Sequence, residues 1–184
     1  LTRSSAASDV YKRQSPRGTG RFILLRSQIG QKRIRPSVLS LNLKDSLFTL
    51  ESSLFGDRIN IDSKIYVGEK KSKRSEVNVN AFISDLKTLL GIVSTENIYN
   101  TSLGGDIKAS LNTSFSLDKP DNVDLDLEIS RFFLRYFDKE ISLLSPGIIK
   151  VVNSSIQNMA IDVGGTGGAY TLRGCLLYTS PSPR

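Results

Sequence analysis

Apolar and polar residues alternate along several stretches of this chain. The clearest stretch reads VDLDLEIS over residues 123–130, and a longer one reads DIKASLNTSFSL over 106–117. Shorter ones read LSLNLK over 39–44, INIDSKIYV over 59–67 and VNV over 77–79. Because successive side chains of a β-strand point to opposite faces, each stretch predicts a strand with one apolar and one polar face. Such one-sided strands are typical of antiparallel sheets.

Residues with turn chemistry separate these stretches. The segment KPDN at 119–122 lies between two alternating runs, where proline fixes φ and Asp and Asn tolerate a bent backbone. Gly56-Asp57 and the glycine cluster at 164–168 are further hairpin positions. The pattern therefore predicts a mainly β fold, an antiparallel, hairpin-rich curved sheet.

One short helix is expected to interrupt the strands and to cover an end of the sheet. The apolar residues that recur at three- and four-residue spacing are Phe82, Leu86, Leu89, Leu90 and Val93. Asn80 can cap the start of this helix, and Gly91 can end it in a left-handed conformation. Core packing explains such a stripe better than a partner groove does.

The two ends of the chain read differently from the rest. Residues 1–14 contain SSAASDVYKRQ, and residues 175–184 read CLLYTSPSPR. The DNA that encodes DVYKRQ is the reverse complement of the DNA that encodes CLLYTS, as expected if both come from the transposase end sequence of a sequencing library. We therefore expect both ends to be adapter-derived and to lack stable contacts, and residues 15–174 to be a fragment of one β-rich domain.

Composition then narrows the function classes. Without the two ends, the chain loses four basic residues and one acidic residue, and its net charge falls from +7 to +4. That is an ordinary surface and not the basic footprint of a nucleic-acid-binding protein. The single cysteine, Cys175, lies in an expected adapter end, and there is no histidine. Triads with histidine and two-histidine zinc sites are thereby excluded, so we predict a protein that is not an enzyme and that needs no metal or cofactor.

Two motifs suggest chemical sites but are better explained as structure. Asp124, Asp126 and Glu128 share one strand face and could hold calcium or act in acid-base catalysis. A solvated outer face is the simpler interpretation, because ligands along a straight strand do not surround a cation. The glycines at 164–168 could form a phosphate loop, but AYTLR follows them and alternates like a strand, where a dinucleotide site needs a helix.

Two segments are candidate contacts with a membrane or a partner. Lys70, Lys71, Lys73 and Arg74 could face anionic lipid, although a solvated loop is the preferred interpretation. The segment 131–137 reads RFFLRYF. Its candidate contact residues are Arg131, Phe132, Phe133, Arg135, Tyr136 and Phe137. They indicate either a membrane interface or partner site, or a strand buried on both faces, and the sequence leaves both open.

The strongest candidate for a binding surface is the apolar row of the long hairpin. Its residues are Ile107, Leu111, Phe115, Val123, Leu125, Leu127 and Ile129. This row is either a groove that is open to a ligand or part of a closed core, and alternation alone does not distinguish the two.

Taken together, several segments resemble one family. LFGDRINI at 54–61, a Leu-rich helix and LGGDI at 103–107 precede the long hairpin, and SIQNMAI at 155–161 and GAYTLRG at 168–174 follow it. This order is similar to the periplasmic domain of GspN, an accessory protein of type II secretion. AsmA-like proteins share the same style of glycine-started alternating strands. The resemblance covers most of residues 38–174.

The resemblance carries no catalytic residues over to this chain. It implies a periplasmic domain with an inner-membrane anchor upstream, and either a scaffold for secretion-apparatus or envelope proteins or a groove that handles phospholipid. From the residues themselves, the alternative is an extracellular β-sandwich adhesin or carbohydrate-binding module, given the content of Ser, Thr and Asn. Such modules usually present aromatic platforms, and this chain has no tryptophan.

Overall fold

A computed structural model of the chain describes residues 17–29, 32–86 and 103–176. The structure is built from β-strands, with a 3-10 turn at Gly68–Lys70. The strands are β1 (Gly18–Leu24), β2 (Ser27–Ile29), β3 (Lys32–Ile34), β4 (Ser37–Lys44), β5 (Leu47–Leu54), β6 (Ile59–Tyr66), β7 (Ser75–Ile83), β8 (Leu103–Ser116), β9 (Lys119–Tyr136), β10 (Lys139–Leu143), β11 (Gly147–Val152), β12 (Ser155–Gly165) and β13 (Gly168–Leu176). The predicted mainly β, antiparallel and hairpin-rich fold is confirmed.

Eleven of these strands form one antiparallel sheet, and β2 and β3 pair separately. From β4 to β9 each strand pairs with the next one in the chain, and β1 pairs with β4 at one edge. β9 is long enough to pair with β10 over 133–136 and with β11 over 125–129. β12 pairs with the same two short strands and then with β13. Since β10 and β11 share a row, the eleven strands occupy ten rows.

Tight turns connect the strands. The turns after β4 and after β11 hold two residues each, all with positive φ, as type I′ hairpins require. The predicted turn at Gly56-Asp57 is present, and Gly56 has φ 69°, with its N–H bonded to Pro36 O at 2.8 Å. The glycine cluster also forms the predicted hairpin, since Thr166 and Gly167 join β12 to β13.

The turn predicted at 119–122 is wrong. Ser116 pairs with Lys119, so Leu117 and Asp118 form the turn and KPDN begins β9. The next pair is Phe115 with Val123, which leaves residues 120–122 without partners in β8. This bulge tolerates Pro120, because a proline cannot donate a ladder hydrogen bond.

The predicted start of the helix is also wrong. Asn80 and Phe82 belong to β7, where Asn80 pairs with Ser110 and Phe82 with Lys108 of β8. Alternation continues through this segment, and strands on both sides offer backbone partners, so the strand is extended past the expected cap. Leu86 is the last described residue before the gap. The remaining predicted helix residues, 89–93, lie outside the described residues.

The expectation that residues 175–184 make no stable contacts is wrong at its start. β13 runs through Cys175 to Leu176, and Leu176 pairs with Ile156 of β12. Ladder hydrogen bonds come from the backbone, so a strand edge accepts such residues whatever encodes them. Residues 1–16 and 177–184 lie outside the described residues.

Candidate functional site: the apolar face of the sheet

One side of the β8–β9 hairpin carries the predicted apolar row. The strands pair Phe115 with Val123 and Leu111 with Leu127, and directly opposed residues of an antiparallel pair point to the same side. We call this side the apolar face. All seven residues of the predicted row lie on it and are half-buried. They are Ile107, Leu111, Phe115, Val123, Leu125, Leu127 and Ile129.

The apolar face continues across the whole sheet. Val79 of β7 pairs with both Leu111 and Ile61, and Ile149 of β11 pairs with Leu127. Further members of the face are Leu39, Leu41, Leu50, Val77, Val151, Ile161 and Leu172. With neighbouring strands about 4.8 Å apart, ten rows give a surface roughly 40 Å across.

The described strands do not enclose this face. Eleven of them pair edge to edge in a single sheet. Ile83, at 6% exposed, is the one buried hydrophobic residue in the part of the chain that the structure describes. A closed domain instead packs two layers and encloses a contiguous core. Over the described residues, the apolar face therefore encloses no such core, and Leu86 is a side chain that packs against it, at Gly105.

A diagonal line of serines crosses the apolar face. Four neighbouring strands contribute one serine each, and each serine lies two residues further along the sheet than the one before. They are Ser37 in β4, Ser52 in β5, Ser63 in β6 and Ser75 in β7. Their relative exposure is between 0% and 9%, because the side chains of larger neighbours cover them. We call this line the serine diagonal. It is a line of small, covered side chains within the apolar face, and the sequence does not reveal it because the alignment of these positions depends on the register.

The serines differ in their hydrogen bonds. Ser37 Oγ accepts the N–H of Phe55 at 2.9 Å, and Ser75 Oγ accepts the N–H of Tyr66 at 3.0 Å. Ser52 Oγ is shielded from solvent and has no hydrogen-bond partner among the described residues. The ends of the serine diagonal thus fix the backbone near turns, while Ser52 leaves a polar atom unsatisfied within it.

A bulge at Ser130 divides the arginine-aromatic segment between the two faces. β8 pairs Ala109 with Ile129 and Lys108 with Arg131, which leaves Ser130 without a partner. The bulge reverses the alternation that follows it. The apolar face therefore receives Phe132, Leu134 and Tyr136, and the polar face receives Arg131, Phe133 and Arg135. The candidate contact residues do not form one patch.

Within that segment, burial and pairing differ from residue to residue. Phe132 and Phe133 are half-buried, one on each face, while Tyr136 and Phe137 are exposed at the end of the hairpin. Arg131 forms an ion pair with Asp106, with Nε to Oδ1 at 2.5 Å. The exposed aromatic surface of this segment is thus restricted to Phe137 in the turn and Tyr136 next to it.

The three predicted carboxylates lie on the polar face but differ in their contacts. Asp126 and Glu128 are exposed. Asp124 accepts the N–H of Asn153 at 2.8 Å and pairs with Arg74 at 2.5 Å, and these interactions lower its pKa in that order of size. Asp124 thus lies on the polar face as expected, and its carboxylate in addition binds two neighbouring segments. In residues 17–29, 32–86 and 103–176, no group of three or more His, Cys, Asp or Glu side chains is arranged to hold a metal ion.

The basic run is tied to neighbouring strands. Lys70 Nζ donates to the carbonyl of Asp45 at 2.8 Å, and Lys73 Nζ lies 5.5 Å from the ring centre of Tyr66. Arg74 reaches Ser114 Oγ at 2.8 Å in addition to its ion pair. Much of this run thus holds the β6–β7 loop against the sheet.

The glycine cluster allows a close approach of backbones. A Cβ on Gly165 would collide with the carbonyl oxygen of Glu140 in β10. Thr166 completes the contact, with its N–H bonded to that carbonyl at 3.0 Å and its Oγ1 accepting the N–H of Glu140 at 2.9 Å. The cluster therefore packs β12 against β10.

Comparisons with known proteins add no function to this geometry. Among the described residues, no helix has the length and apolarity needed to cross a bilayer. A search of protein-family models, of characterised proteins and of solved structures finds no match to this chain.

Proposed function

We propose that this chain is part of a non-enzymatic cell-envelope protein whose apolar face holds phospholipid acyl chains, as the resemblance to AsmA-like proteins implies. The observation that supports this proposal is the apolar face itself, which extends over ten rows and, among the described residues, buries a single hydrophobic side chain. An apolar surface of this extent is typical of a binding surface, since monomeric proteins seldom expose more than a few hundred square ångströms in one patch.

The chemistry of the face favours an apolar and elongated ligand. It presents no convergent set of charged side chains, and two hydroxyls of the serine diagonal are already bonded to backbone N–H groups. An extended acyl chain is apolar along its whole length and therefore suits such a face. Each methylene removed from water contributes about 0.8 kcal/mol, so roughly ten buried methylenes would contribute about 8 kcal/mol before the entropic cost of binding.

A second candidate function is a scaffold in type II secretion, as the resemblance to GspN implies. The observation that favours it is the pair of sheet edges, because β1 and β13 each pair on one side only among the described strands. An unpaired edge can accept a strand from a partner protein. In that case a strand of a secretion-apparatus protein would extend the sheet at one of these edges. For both candidates we propose a periplasmic location with an upstream membrane anchor.

Native mass spectrometry of protein extracted from membranes tests the lipid-binding proposal. The wild type should carry phospholipid, and Leu111→Asp should lose it because a carboxylate would enter the apolar face. Asn112→Asp is the matched control, since it places the same charge on the next residue of β8, which is exposed on the polar face. Circular dichroism checks that each variant keeps its sheet.

The wild-type spectrum tests acyl-chain binding, and a co-elution experiment tests the scaffold. A lipid-free wild type would overturn acyl-chain binding. Co-elution of a lipid-free wild type with an identified secretion-apparatus protein would support the scaffold.

A further inference from the structure

The hairpin of β9 and β10 ends in a turn of unusual composition. Tyr136 pairs with Lys139, which leaves Phe137 and Asp138 as the turn. Phe137 has φ 55°, in the left-handed region that Gly, Asn and Asp adopt far more readily than an aromatic residue. The two-residue turns after β4 and β11 use only Asp, Ser and Asn at positive φ. The backbone at Phe137 therefore adopts a conformation that its side chain disfavours.

The residues around this turn form an exposed apolar patch. Phe137 is 53% exposed, Tyr136 is 47% exposed and Ile141 is 45% exposed. The rings of Tyr136 and Phe137 meet edge to face, with their centres 4.7 Å apart. We call these three residues the aromatic tip. Strained backbone positions concentrate where function maintains them, and here the strained residue is also an exposed aromatic.

Charged side chains of both signs surround the aromatic tip. Arg135 precedes it in β9, opposite Glu140 of β10, and Lys139 follows it with its Nζ 3.6 Å from the exposed carboxylate of Asp138. Tyrosine and other aromatic rings flanked by Arg and Lys are the side chains that settle at the headgroup level of a membrane. Their apolar parts enter the lipid, while the charged ends and the hydroxyl stay in contact with water and phosphate.

We infer that the aromatic tip inserts into the headgroup region of a phospholipid bilayer. The composition favours a bilayer, since three apolar side chains that are each about half exposed lie together at one turn. The tip is also continuous with the apolar face, because Tyr136 lies on that face and Ile141 pairs with Leu134. If the aromatic tip lies in the headgroup region, the adjoining end of the apolar face contacts the membrane surface. This inference goes beyond acyl-chain binding and does not depend on it.

Two single-tryptophan variants test the inference directly. The natural chain has no tryptophan, so Phe137→Trp places the only indole at the aromatic tip. Phe82→Trp is the matched control, because Phe82 is also 53% exposed but lies within β7 on the polar face. With vesicles of equal parts phosphatidylcholine and phosphatidylglycerol, the emission of Phe137→Trp should shift to shorter wavelength and that of Phe82→Trp should not. Equal shifts, or no shift for Phe137→Trp, would overturn the inference.

A second pair of variants separates membrane binding from folding. Phe137→Asn should unfold at a higher temperature than the wild type, since Asn tolerates the left-handed region, yet its partition onto the same vesicles in a flotation gradient should fall about tenfold. Phe82→Asn should leave the partition unchanged. Wild-type partition by Phe137→Asn, or an equal loss in Phe82→Asn, would show that the aromatic tip is not the contact. Phe137→Gly removes the ring without adding a polar amide, and its partition onto the vesicles should fall in the same way.

Discussion

Arg74 and Asp124 form an ion pair across 50 positions of the chain, with Arg74 Nη2 2.5 Å from Asp124 Oδ2. The other oxygen of the same carboxylate accepts the N–H of Asn153 at 2.8 Å. One side chain of β9 thus joins the β6–β7 loop to the β11–β12 turn. A carboxylate that appears from sequence to be surface charge is in fact a connection between three parts of the sheet.

This connection predicts a specific loss of stability in acid. The N–H of Asn153 and the charge of Arg74 lower the pKa of Asp124 in the folded chain, whereas an unfolded Asp titrates near about 3.9. A lowered folded pKa stabilises the fold above the unfolded value, and the contribution is lost as pH falls through the folded pKa. Urea unfolding at about pH 6 and about pH 3 should show the drop, and Asp124→Asn should show a smaller one. The same drop in Asp124→Asn would contradict this role.

The serine diagonal predicts opposite effects of one substitution at two positions. Ser52→Ala should raise the free energy of unfolding by about 1 kcal/mol, because it removes a shielded hydroxyl that lacks a partner. Ser75→Ala should lower it by about 1 to 2 kcal/mol, because Tyr66 would lose the acceptor of its N–H. Urea unfolding of both variants measures the difference. If both variants changed the free energy of unfolding in the same direction, the hydroxyl of Ser52 would have a hydrogen-bond partner.

Neighbouring residues of β9 should respond very differently to charge. Leu127 is half-buried on the apolar face, and Asp126 is exposed on the polar face. Leu127→Asp should lower the free energy of unfolding by about 2 kcal/mol or more, since it places an unpaired carboxylate among apolar side chains. Asp126→Asn should change it by less than about 0.5 kcal/mol. Similar values for the two variants would show that the faces are not as assigned.

Two glycines of the β12–β13 hairpin should tolerate alanine to different degrees. Gly165→Ala should destabilise by about 2 kcal/mol, because its Cβ would meet the carbonyl of Glu140. A Cβ on Gly167 meets nothing within 4 Å, so Gly167→Ala should stay within about 0.5 kcal/mol of the wild type. Thermal unfolding compares them. A neutral Gly165→Ala would mean that β10 and β12 can separate locally without cost.

Alternation allowed the strands and the apolar face to be predicted, because the period of two is a local property of the backbone. The errors arose where pairing overrode local signals. KPDN has turn chemistry, but the pairing of Ser116 with Lys119 places it inside a bulged strand. Phe82 matches a helical spacing, but β6 and β8 extend β7 through it. Neither pairing is visible in the residues themselves.

The candidate site was predictable in part for the same reason. The row from Ile107 to Ile129 follows from alternation along two strands. The division of the segment after Ser130 between two faces depends on a bulge, and a single unpaired residue exchanges the faces of all residues beyond it. The serine diagonal depends on the register of four strands at once, so it required the structure.

The number of rows in the sheet has a consequence for how such an architecture grows. Ten alternating rows leave β1 and β13 running in opposite directions. If the unit is duplicated and the copies are joined edge to edge, the β13 of one copy meets the β1 of the next in antiparallel orientation, and both copies keep their hydrophobic sides together. An odd number of rows would force a parallel junction or turn one copy over. Tandem duplication can therefore widen this surface without changing its chemistry. The width of the sheet can then evolve while the sequence of each unit stays the same.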